Sequence, residues 1–446
     1  MIDGWPLTAL EEYLLLEDRP AYPWSFFVRL GCAGRADRQA VVTALRNSVA
    51  RHPLLSATVQ RRGNGGWFWQ QVAEPQPQVL WADGIGKRAY AAATHLDLSA
   101  EIGIRLRAAV GPDATEFVFQ FHHACCDARG AFCLIEDWLA EYACAAGADR
   151  DAALLRSYDA GLLARRSRPA VKPRPAGGGL STLGAGLVRA YQFLCRKPTP
   201  LLDYPAARDE DPTPTGFPAA RSFRLDAATT GELRAAAKRQ GATVNDLLCR
   251  DLFLVLHGFR QELRPLPPDA WLRLAVPVDL RTEAAARMSA ANQASMVFVT
   301  RRASRCSAAL ALLQNLHHEL QQVKTRGLAR TFLRSIEIRR RLPGGLARSV
   351  RSRKCGATAA LTNVGETLAT SRLPRRAGKL VAGNLLLEAA DFLAPIRPLT
   401  CVSFSACTYA GQLAISLQFD PRALSDPAAD RLFQAFLAQL QSSLQS

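Results

Sequence analysis

The stretch EFVFQFHHACCDARGAFCLIEDWLAEYACAA, residues 116–146, sets two adjacent histidines between a strand pattern and a helical pattern. Its opening residues EFVFQF favour a strand. From residue 128 onward apolar residues recur with a helical period, at Phe132, Ile135, Trp138, Leu139 and Tyr142. His122 and His123 therefore close a strand, on which neighbouring side chains point to opposite faces. We expect one ring to pack inward and the other to face a cleft, where an imidazole can act as a general base.

The same alternation of helices and strands continues outward through both halves of the chain. The predicted elements are helices over 8–18, 36–53 and 128–146, strands over 25–34, 271–280 and 293–301, a strand pair over 104–121, and a hairpin over 401–420. Strands interleaved with helices in both halves imply an α/β fold of two layered domains.

Between these halves lies a segment dense in proline, glycine and mixed charge. Such a composition indicates a linker or crossover, with one short helix predicted over 182–195. The sequence therefore predicts an N-terminal lobe over 1–165, a linker over 166–220 and a C-terminal lobe over 221–446.

Composition excludes several classes of protein. The chain has 446 residues, 48% of them apolar and 21% charged, as in ordinary globular proteins. Its N-terminal residues are acidic where a signal peptide needs positive charge, and its most apolar stretch, 246–259, is interrupted by Arg250 and Asp251. Eleven cysteines without regular spacing are typical of reduced thiols. We therefore expect a protein of the cytoplasm, whose net charge of +17 favours acidic partners.

Other chemistries fit the sequence less well. His122, Cys125, Cys126 and Asp127 do not have the spacing of a closed tetrahedral zinc site, so we expect no metal. The glycine run at 177–179 follows no strand and lacks the Lys-Ser/Thr of a phosphate loop. No Gly-x-Ser-x-Gly elbow of a serine hydrolase is present in the sequence.

The His-His-x-x-x-Asp pattern has companions along almost the whole chain. They are PLTALEEYLLLED near the N-terminus, a helix ending in Arg51-His52-Pro53, ATVNDLLCRDLFLVL from Ala242, VPVDLR over 276–281, and LTNVGE over 361–366. In order and kind these segments resemble the chloramphenicol-acetyltransferase-like superfamily of acyltransferases that depend on coenzyme A or a carrier protein. That superfamily includes nonribosomal-peptide condensation domains, polyketide-associated acyltransferases and wax-ester synthase/diacylglycerol acyltransferases of natural-product and lipid biosynthesis.

The resemblance implies two similar sandwich lobes with a substrate tunnel at their interface. It implies an acyltransferase of the EC 2.3 type, which moves an acyl group from a thioester to a hydroxyl or amine. The thioester is carried by coenzyme A or by phosphopantetheine, and no cofactor is bound permanently. In this chain His123 matches the general base, with His122 beside it in the motif. Asp127 matches a structural carboxylate that pairs with an arginine of the second lobe, here Arg281.

Two further asparagines, Asn292 and Asn363, are candidates for polar groups on the tunnel wall. The chain departs from the pattern at Ala128, where the family has glycine, and its next glycine is Gly130. A methyl group there is either harmless or blocks the close approach of a backbone N–H to the substrate. A catalytically degenerate module that recruits a carrier protein or a ligand therefore stays open as an alternative function.

A strongly basic segment, 324–354, follows the long helix predicted in the second half. It is either a solvated helix face, a site for an acidic carrier protein or for coenzyme A phosphates, or a contact with anionic membrane. Our hypothesis is the carrier or cofactor site. Because the segment lacks interleaved aromatic residues, we do not expect a nucleic-acid partner.

Overall fold

A computed structural model describes residues 4–63, 65–86, 90, 93–147, 155–167, 191, 193, 195–352 and 354–445. Its helices are α1 (Ala9–Glu17), α2 (Arg38–Ala50), α3 (Ala128–Ala145), α4 (Ala160–Ala164), α5 (Ala227–Arg239), α6 (Val244–Leu263), α7 (Ala309–Thr325), α8 (Thr331–Arg341), α9 (Gly345–Val350) and α10 (Asp426–Ser442). Its strands are β1 (Trp5–Pro6), β2 (Ser25–Ala33), β3 (Ala57–Arg61), β4 (Trp67–Gln71), β5 (Gln78–Asp83), β6 (Ile104–Val110), β7 (Ala114–His122), β8 (Ala220–Leu225), β9 (Trp271–Asp279), β10 (Ala294–Arg302), β11 (Ala359–Glu366), β12 (Arg375–Arg376), β13 (Lys379–Ala382), β14 (Leu385–Leu393), β15 (Val402–Tyr409) and β16 (Gln412–Phe419).

Local sequence signals set the ends of these elements. Thr8 caps α1 and exchanges hydrogen bonds with Glu11 in a capping box. Thr243 and Asp246 form the same arrangement at the start of α6. The hairpin predicted over 401–420 is formed by β15 and β16, which turn at Ala410 and Gly411. Both turn residues have positive φ, 47° and 81°, as a tight two-residue hairpin turn requires.

The first lobe is built on a sheet with the order β12-β13-β14-β2-β7-β6-β5 within the described part of the chain. The strand β7 lies inside this sheet, antiparallel to both β2 and β6. Trp138 of α3 packs edge-on against Phe117 and Phe119 of β7, with ring centroids 4.8 and 5.1 Å away. Because both faces of β7 are buried, the strand end that carries the histidines is held rigidly.

The second lobe is built on a sheet with the order β10-β9-β11-β15-β16-β8, again counting described residues only. The helices α6, α7 and α10 cover it, and Phe436 of α10 packs against Phe404 of β15 with ring centroids 4.8 Å apart. The two lobes are thus both α/β sandwiches, as the sequence predicts.

A segment from the second half of the chain crosses into the first lobe. The strand β14 pairs antiparallel with β2, so residues 375–393 complete the first sheet rather than the second. Sequence analysis did not reveal this exchange. The lobe bounds 1–165 and 221–446 stay predictions. The structure shows in addition that one segment of the second range belongs to the sheet of the first lobe.

Two other predictions concern the middle of the chain and its membrane behaviour. Most of the helix predicted over 182–195, and the glycine run at 177–179, lie outside the described residues. Among the described helices, none combines the length and the apolar character needed to cross a bilayer.

The basic segment 324–354 contains the end of α7 and the short helices α8 and α9.

Candidate active site

His123 follows directly after β7, at the edge where the two lobes meet. Its backbone N–H donates to the carbonyl of Trp24, 2.8 Å away. The rings of Trp24 and Phe26 flank the imidazole, with centroids 5.6 and 5.2 Å from it. The side chain is partly exposed and lines a cavity of about 120 Å³ between the lobes. The structure therefore places His123 where the sequence predicts the cleft-facing histidine.

Burial lowers the pKa of His123 below its ordinary value, and it outweighs the opposing effect of the nearby Asp127 carboxylate. The imidazole is therefore neutral at neutral pH, the state that a general base needs. The Nδ1 atom is buried and has no hydrogen-bond partner among the described residues. Consequently Nε2 is the ring nitrogen available to a substrate.

His122 points to the opposite face of β7 and is fully buried. Its Nδ1 accepts from the backbone N–H of Ala124 at 3.1 Å, and its Nε2 lies 3.3 Å from Asp18. The same Asp18 carboxylate contacts His95 at 2.5 Å and accepts from the backbone N–H of Trp24 at 2.7 Å. Burial raises the pKa of Asp18, but the contacts with His122 and His95 outweigh it and hold this pKa well below its usual range. His122 thus fixes the backbone on both sides of His123 and does not line the cavity.

Asp127 caps α3 and joins the two lobes. Its carboxylate accepts from the Gly130 backbone N–H at 3.0 Å and from the Gln293 backbone N–H at 2.7 Å. The guanidinium of Arg281 meets it with two hydrogen bonds, of 2.7 and 2.9 Å. Although burial alone raises the pKa of Asp127, Arg281 and these amides lower it overall. The carboxylate is fully engaged by these groups, so its geometry suits positioning rather than proton transfer.

The two asparagines occupy different places. The Asn292 side-chain amide donates to the backbone carbonyls of His123 and Ala124, both at 2.8 Å. It therefore ties the second lobe to the backbone of the motif and does not line the His123 cavity. Asn363 does line that cavity, and its side-chain oxygen accepts from the Gly365 backbone N–H at 3.0 Å.

Gly130 is the position in the motif where a side chain is excluded. A Cβ atom there would lie 3.0 Å from Cβ of Cys126 and 3.1 Å from both the backbone N and O of Ala291. Ala128 instead lines the His123 cavity as the first residue of α3. The close approach between the lobes thus depends on Gly130, while the methyl group of Ala128 adds to the cavity wall.

Sequence reasoning missed several residues around the site. Arg397 lines the His123 cavity and pairs with Glu17 and the hydroxyl of Tyr13. His52, from the Arg-His-Pro segment, accepts the backbone N–H of Ala290 at 3.0 Å. Local patterns give no signal for these contacts because the partners are far apart in sequence.

The site offers neither a thiol nucleophile nor a metal centre within the described ranges. Burial raises the pKa of both Cys125 and Cys126 well above its ordinary value, so both thiols stay protonated. The described residues include no group of three or more His, Cys, Asp or Glu side chains that could hold a metal ion. The arrangement suits the acceptance of a proton by His123 from a substrate held between the lobes.

Comparison with known proteins gives a family match for part of the chain. A family model described as the C-terminus of phthiocerol/phthiodiolone dimycocerosyl transferase matches residues 214–418. No curated protein sequence gave a significant match.

Several solved structures have the same fold. Trichothecene 15-O-acetyltransferase from Fusarium sporotrichioides aligns with a TM-score of 0.71 and 12% identity, over 98% of this chain and 95% of that one. A mutant starter condensation domain of rhizomide synthetase RzmA, in complex with C8-CoA and Leu-SNAC, aligns with a TM-score of 0.67 and 13% identity, over 100% and 95%. The nonribosomal peptide synthetase FmoA3 aligns with a TM-score of 0.65 and 19% identity over 99% of this chain, which spans 45% of the synthetase chain.

These matches extend across both lobes and include condensation domains and an acetyltransferase. The chain therefore shares the two-lobed fold of these condensation domains and of the acetyltransferase, which is the fold that the resemblance of its motifs implies.

Proposed function

We propose that this protein is an acyltransferase that moves an acyl group from a thioester to a hydroxyl or amine, with His123 as the general base. The thioester is carried by coenzyme A or by a phosphopantetheinylated carrier protein. The fold and the family match support acyl transfer in general, and the donor, the acceptor and the role of His123 are the parts proposed.

The reaction follows from the position of Nε2 in the cavity wall. As the acceptor oxygen or nitrogen attacks the thioester carbonyl, Nε2 takes the proton from the acceptor and a tetrahedral intermediate forms. The intermediate collapses with cleavage of the carbon–sulfur bond, and the departing thiolate takes the proton back from the imidazolium. The products are the ester or amide and the free thiol, and no acyl-enzyme is required.

One observation carries the proposal: the imidazole of His123 is held in fixed geometry in the wall of a cavity between the lobes. Its backbone is fixed on three sides, by Trp24, by Asn292 and by the anchored His122. Such fixation keeps the base in one orientation towards substrates bound in the cavity, and this positioning lowers the entropic cost of the reaction.

The substrates of the neighbouring structures support the choice of donor. The rhizomide synthetase domain was solved with an acyl-coenzyme A and an N-acetylcysteamine thioester, and the Fusarium protein is named as an O-acetyltransferase. For this chain a thioester donor is accordingly the first class to assay.

The test is thiol release from a panel of acyl-coenzyme A and acyl-N-acetylcysteamine thioesters, with hydroxyl and amine acceptors and mass detection of the product. We expect wild type to turn over at least one pair, and His123→Ala to lose about 10²-fold or more in rate. The matched control is His318→Ala, which removes an exposed histidine of α7 whose ring lies 2.6 Å from the side-chain nitrogen of Gln322, away from the His123 cavity.

The control variant should keep the wild-type rate, and circular dichroism should show both variants folded. If folded wild type releases no thiol from any donor, the degenerate binding module replaces the enzyme. If His123→Ala keeps the wild-type rate, His123 is not the base.

A further inference from the structure

A loop of the second lobe enters the core of the first lobe. Residues 288–293, between β9 and β10, are all buried, and we call them the insertion loop. Met288, Ala290 and Ala291 belong to the same hydrophobic cluster as Phe119 of β7. Because the loop lies away from water, its backbone polar groups need hydrogen-bond partners within the protein.

The end of the insertion loop holds the candidate active site in place. The Asn292 side-chain amide donates to the backbone carbonyls of His123 and Ala124, both at 2.8 Å. The backbone N–H of the next residue, Gln293, donates to the Asp127 carboxylate at 2.7 Å. The position of the His123 backbone therefore depends on where the insertion loop lies.

The side chain of His52, from the first lobe, fixes the middle of the insertion loop. Its Nδ1 atom accepts from the backbone N–H of Ala290 at 3.0 Å, and the side chain is fully buried. The carbonyl of His52 accepts in turn from the backbone N–H groups of Leu55 and Ser56, at 2.9 and 3.1 Å. Since Ala290 lies only two positions before Asn292, a shift at the first of these residues moves the second.

The hydrogen bond to Ala290 requires one protonation state of the His52 ring. A ring nitrogen accepts a hydrogen bond only when it carries no proton, so the neutral ring has its hydrogen on Nε2. Nε2 lies 3.4 Å from the Asp137 carboxylate, and the Tyr158 ring lies against the imidazole with centroids 5.0 Å apart. Burial lowers the pKa of His52 and outweighs the opposing effect of Asp137, so the ring is neutral at neutral pH and Nδ1 stays an acceptor.

We propose that His52 is a positioning residue for His123. It fixes the insertion loop through the Ala290 N–H, and the loop holds the His123 backbone through Asn292. His52 does not line the His123 cavity, so it acts through the loop. The inference rests on the proposed function, because it takes the orientation of His123 to set the reaction rate. A displacement of about 1 Å that begins far from the reacting atoms can lower a rate about 10²-fold.

Two substitutions separate the Nδ1 acceptor from the rest of the imidazole. In His52→Asn the side-chain oxygen takes the place of Nδ1 and still accepts from the Ala290 N–H. In His52→Gln the amide reaches the place of Nε2, and the Ala290 N–H loses its acceptor. The matched control is Tyr158→Phe, which keeps a ring against His52 and removes a hydroxyl that has no hydrogen-bond partner among the described residues.

The first measurement is steady-state kinetics of thiol release. We expect His52→Gln to lower kcat about tenfold to 10²-fold with the KM of the thioester unchanged, His52→Asn to keep most of the wild-type kcat, and Tyr158→Phe to match wild type. In an Asn292→Ala background, His52→Gln should lower kcat much less, because the connection from the loop to His123 is already broken. Equal losses in the two backgrounds, or equal losses in His52→Asn and His52→Gln, would overturn the proposal.

The second measurement needs no turnover. Spectra of ¹⁵N-histidine-labelled protein follow the ring signals of His123, which are assigned by their absence in His123→Ala. We expect these signals to shift in His52→Gln and to keep their wild-type positions in His52→Asn and Tyr158→Phe. The ring signals of His318, exposed on α7, should stay unchanged in every variant.

Unchanged His123 signals in folded His52→Gln would overturn the proposal. The wild-type spectrum tests it even if that variant does not fold, since a neutral His52 ring with its proton on Nδ1 could not accept from Ala290. Shifted His123 signals in His52→Gln, in a protein whose wild type transfers no acyl group, would support the positioning by His52 and refute the proposed function.

Discussion

Replacing Arg281 with alanine leaves the Asp127 carboxylate buried without its cation. Asp127 is 5% exposed, and it keeps only the backbone amides of Gly130 and Gln293, at 3.0 and 2.7 Å. Breaking a buried ion pair from one side typically costs about 3–5 kcal/mol. Because two amides remain and the Arg281 side chain is itself 21% exposed, we expect the lower end, a loss of about 3 kcal/mol in the free energy of unfolding.

The loss should depend on pH with a definite sign. In wild type Arg281 helps to hold the pKa of Asp127 below its ordinary value, so the pair stabilises the fold above that ordinary value and less as the pH falls through the lowered pKa. In Arg281→Ala burial acts without this opposition and raises the pKa of Asp127. The carboxyl then takes up a proton as the pH falls, and the deficit relative to wild type shrinks.

Urea unfolding of wild type, Arg281→Ala and Arg281→Ala/Asp127→Asn, at pH 7 and pH 5, measures both effects. The double variant should recover part of the lost stability at pH 7, since it has no stranded charge. The control is Arg264→Ala, whose exposed pair with Asp203 should change stability by less than about 1 kcal/mol. A deficit of Arg281→Ala below 1 kcal/mol at pH 7, or one that grows at pH 5, would refute the reasoning.

Two substitutions test the contacts between the lobes. Asn292→Ala removes both hydrogen bonds to the carbonyls of His123 and Ala124. We expect the free energy of unfolding, measured in urea, to fall by about 2–3 kcal/mol and kcat to fall as well. A loss of stability no larger than that of Asn315→Ala, an exposed control, would contradict this. Gly130→Ala places a Cβ 3.1 Å from the backbone of Ala291 and should lower the free energy of unfolding by about 1–3 kcal/mol. In the control Gly231→Ala the new Cβ has no neighbouring atom within 4 Å, so this variant should be neutral or stabilised. Equal thermal unfolding of the two variants would show that Gly130 has room for a methyl group.

Short-range patterns in the sequence predicted much of the fold. The strand ending at His122 and the helix beginning at Ala128 lie where the alternation and the helical period place them. The hairpin that turns at Ala410 and Gly411 also follows from neighbouring residues alone, because the alternating apolar positions lie directly on both sides of the turn. The resemblance also implied the pairing of Asp127 with Arg281, two residues that no local pattern connects.

What could not be predicted depends on contacts between distant segments. The strand β14 joins β2, yet nothing in its own residues says which sheet edge it will complete. Asp18 reaches His95 and His122 only after folding brings the end of α1 to β7. The sequence alone leaves open whether the arginines of α8 form a solvated helix face or a binding site, because the cavity that they line is formed together with the N-terminal residues.

The role of His123 can be tested by following its titration and the reaction together. We predict that kcat/KM for thiol release stays high on lowering the pH through 6.5 and falls only at a more acidic pH, in step with the ring titration of His123 followed by NMR, because burial lowers its pKa. If the NMR titration of His123 lies at or above 6.5, or if kcat/KM is indifferent to the protonation of this ring, His123 is not the neutral base between the lobes.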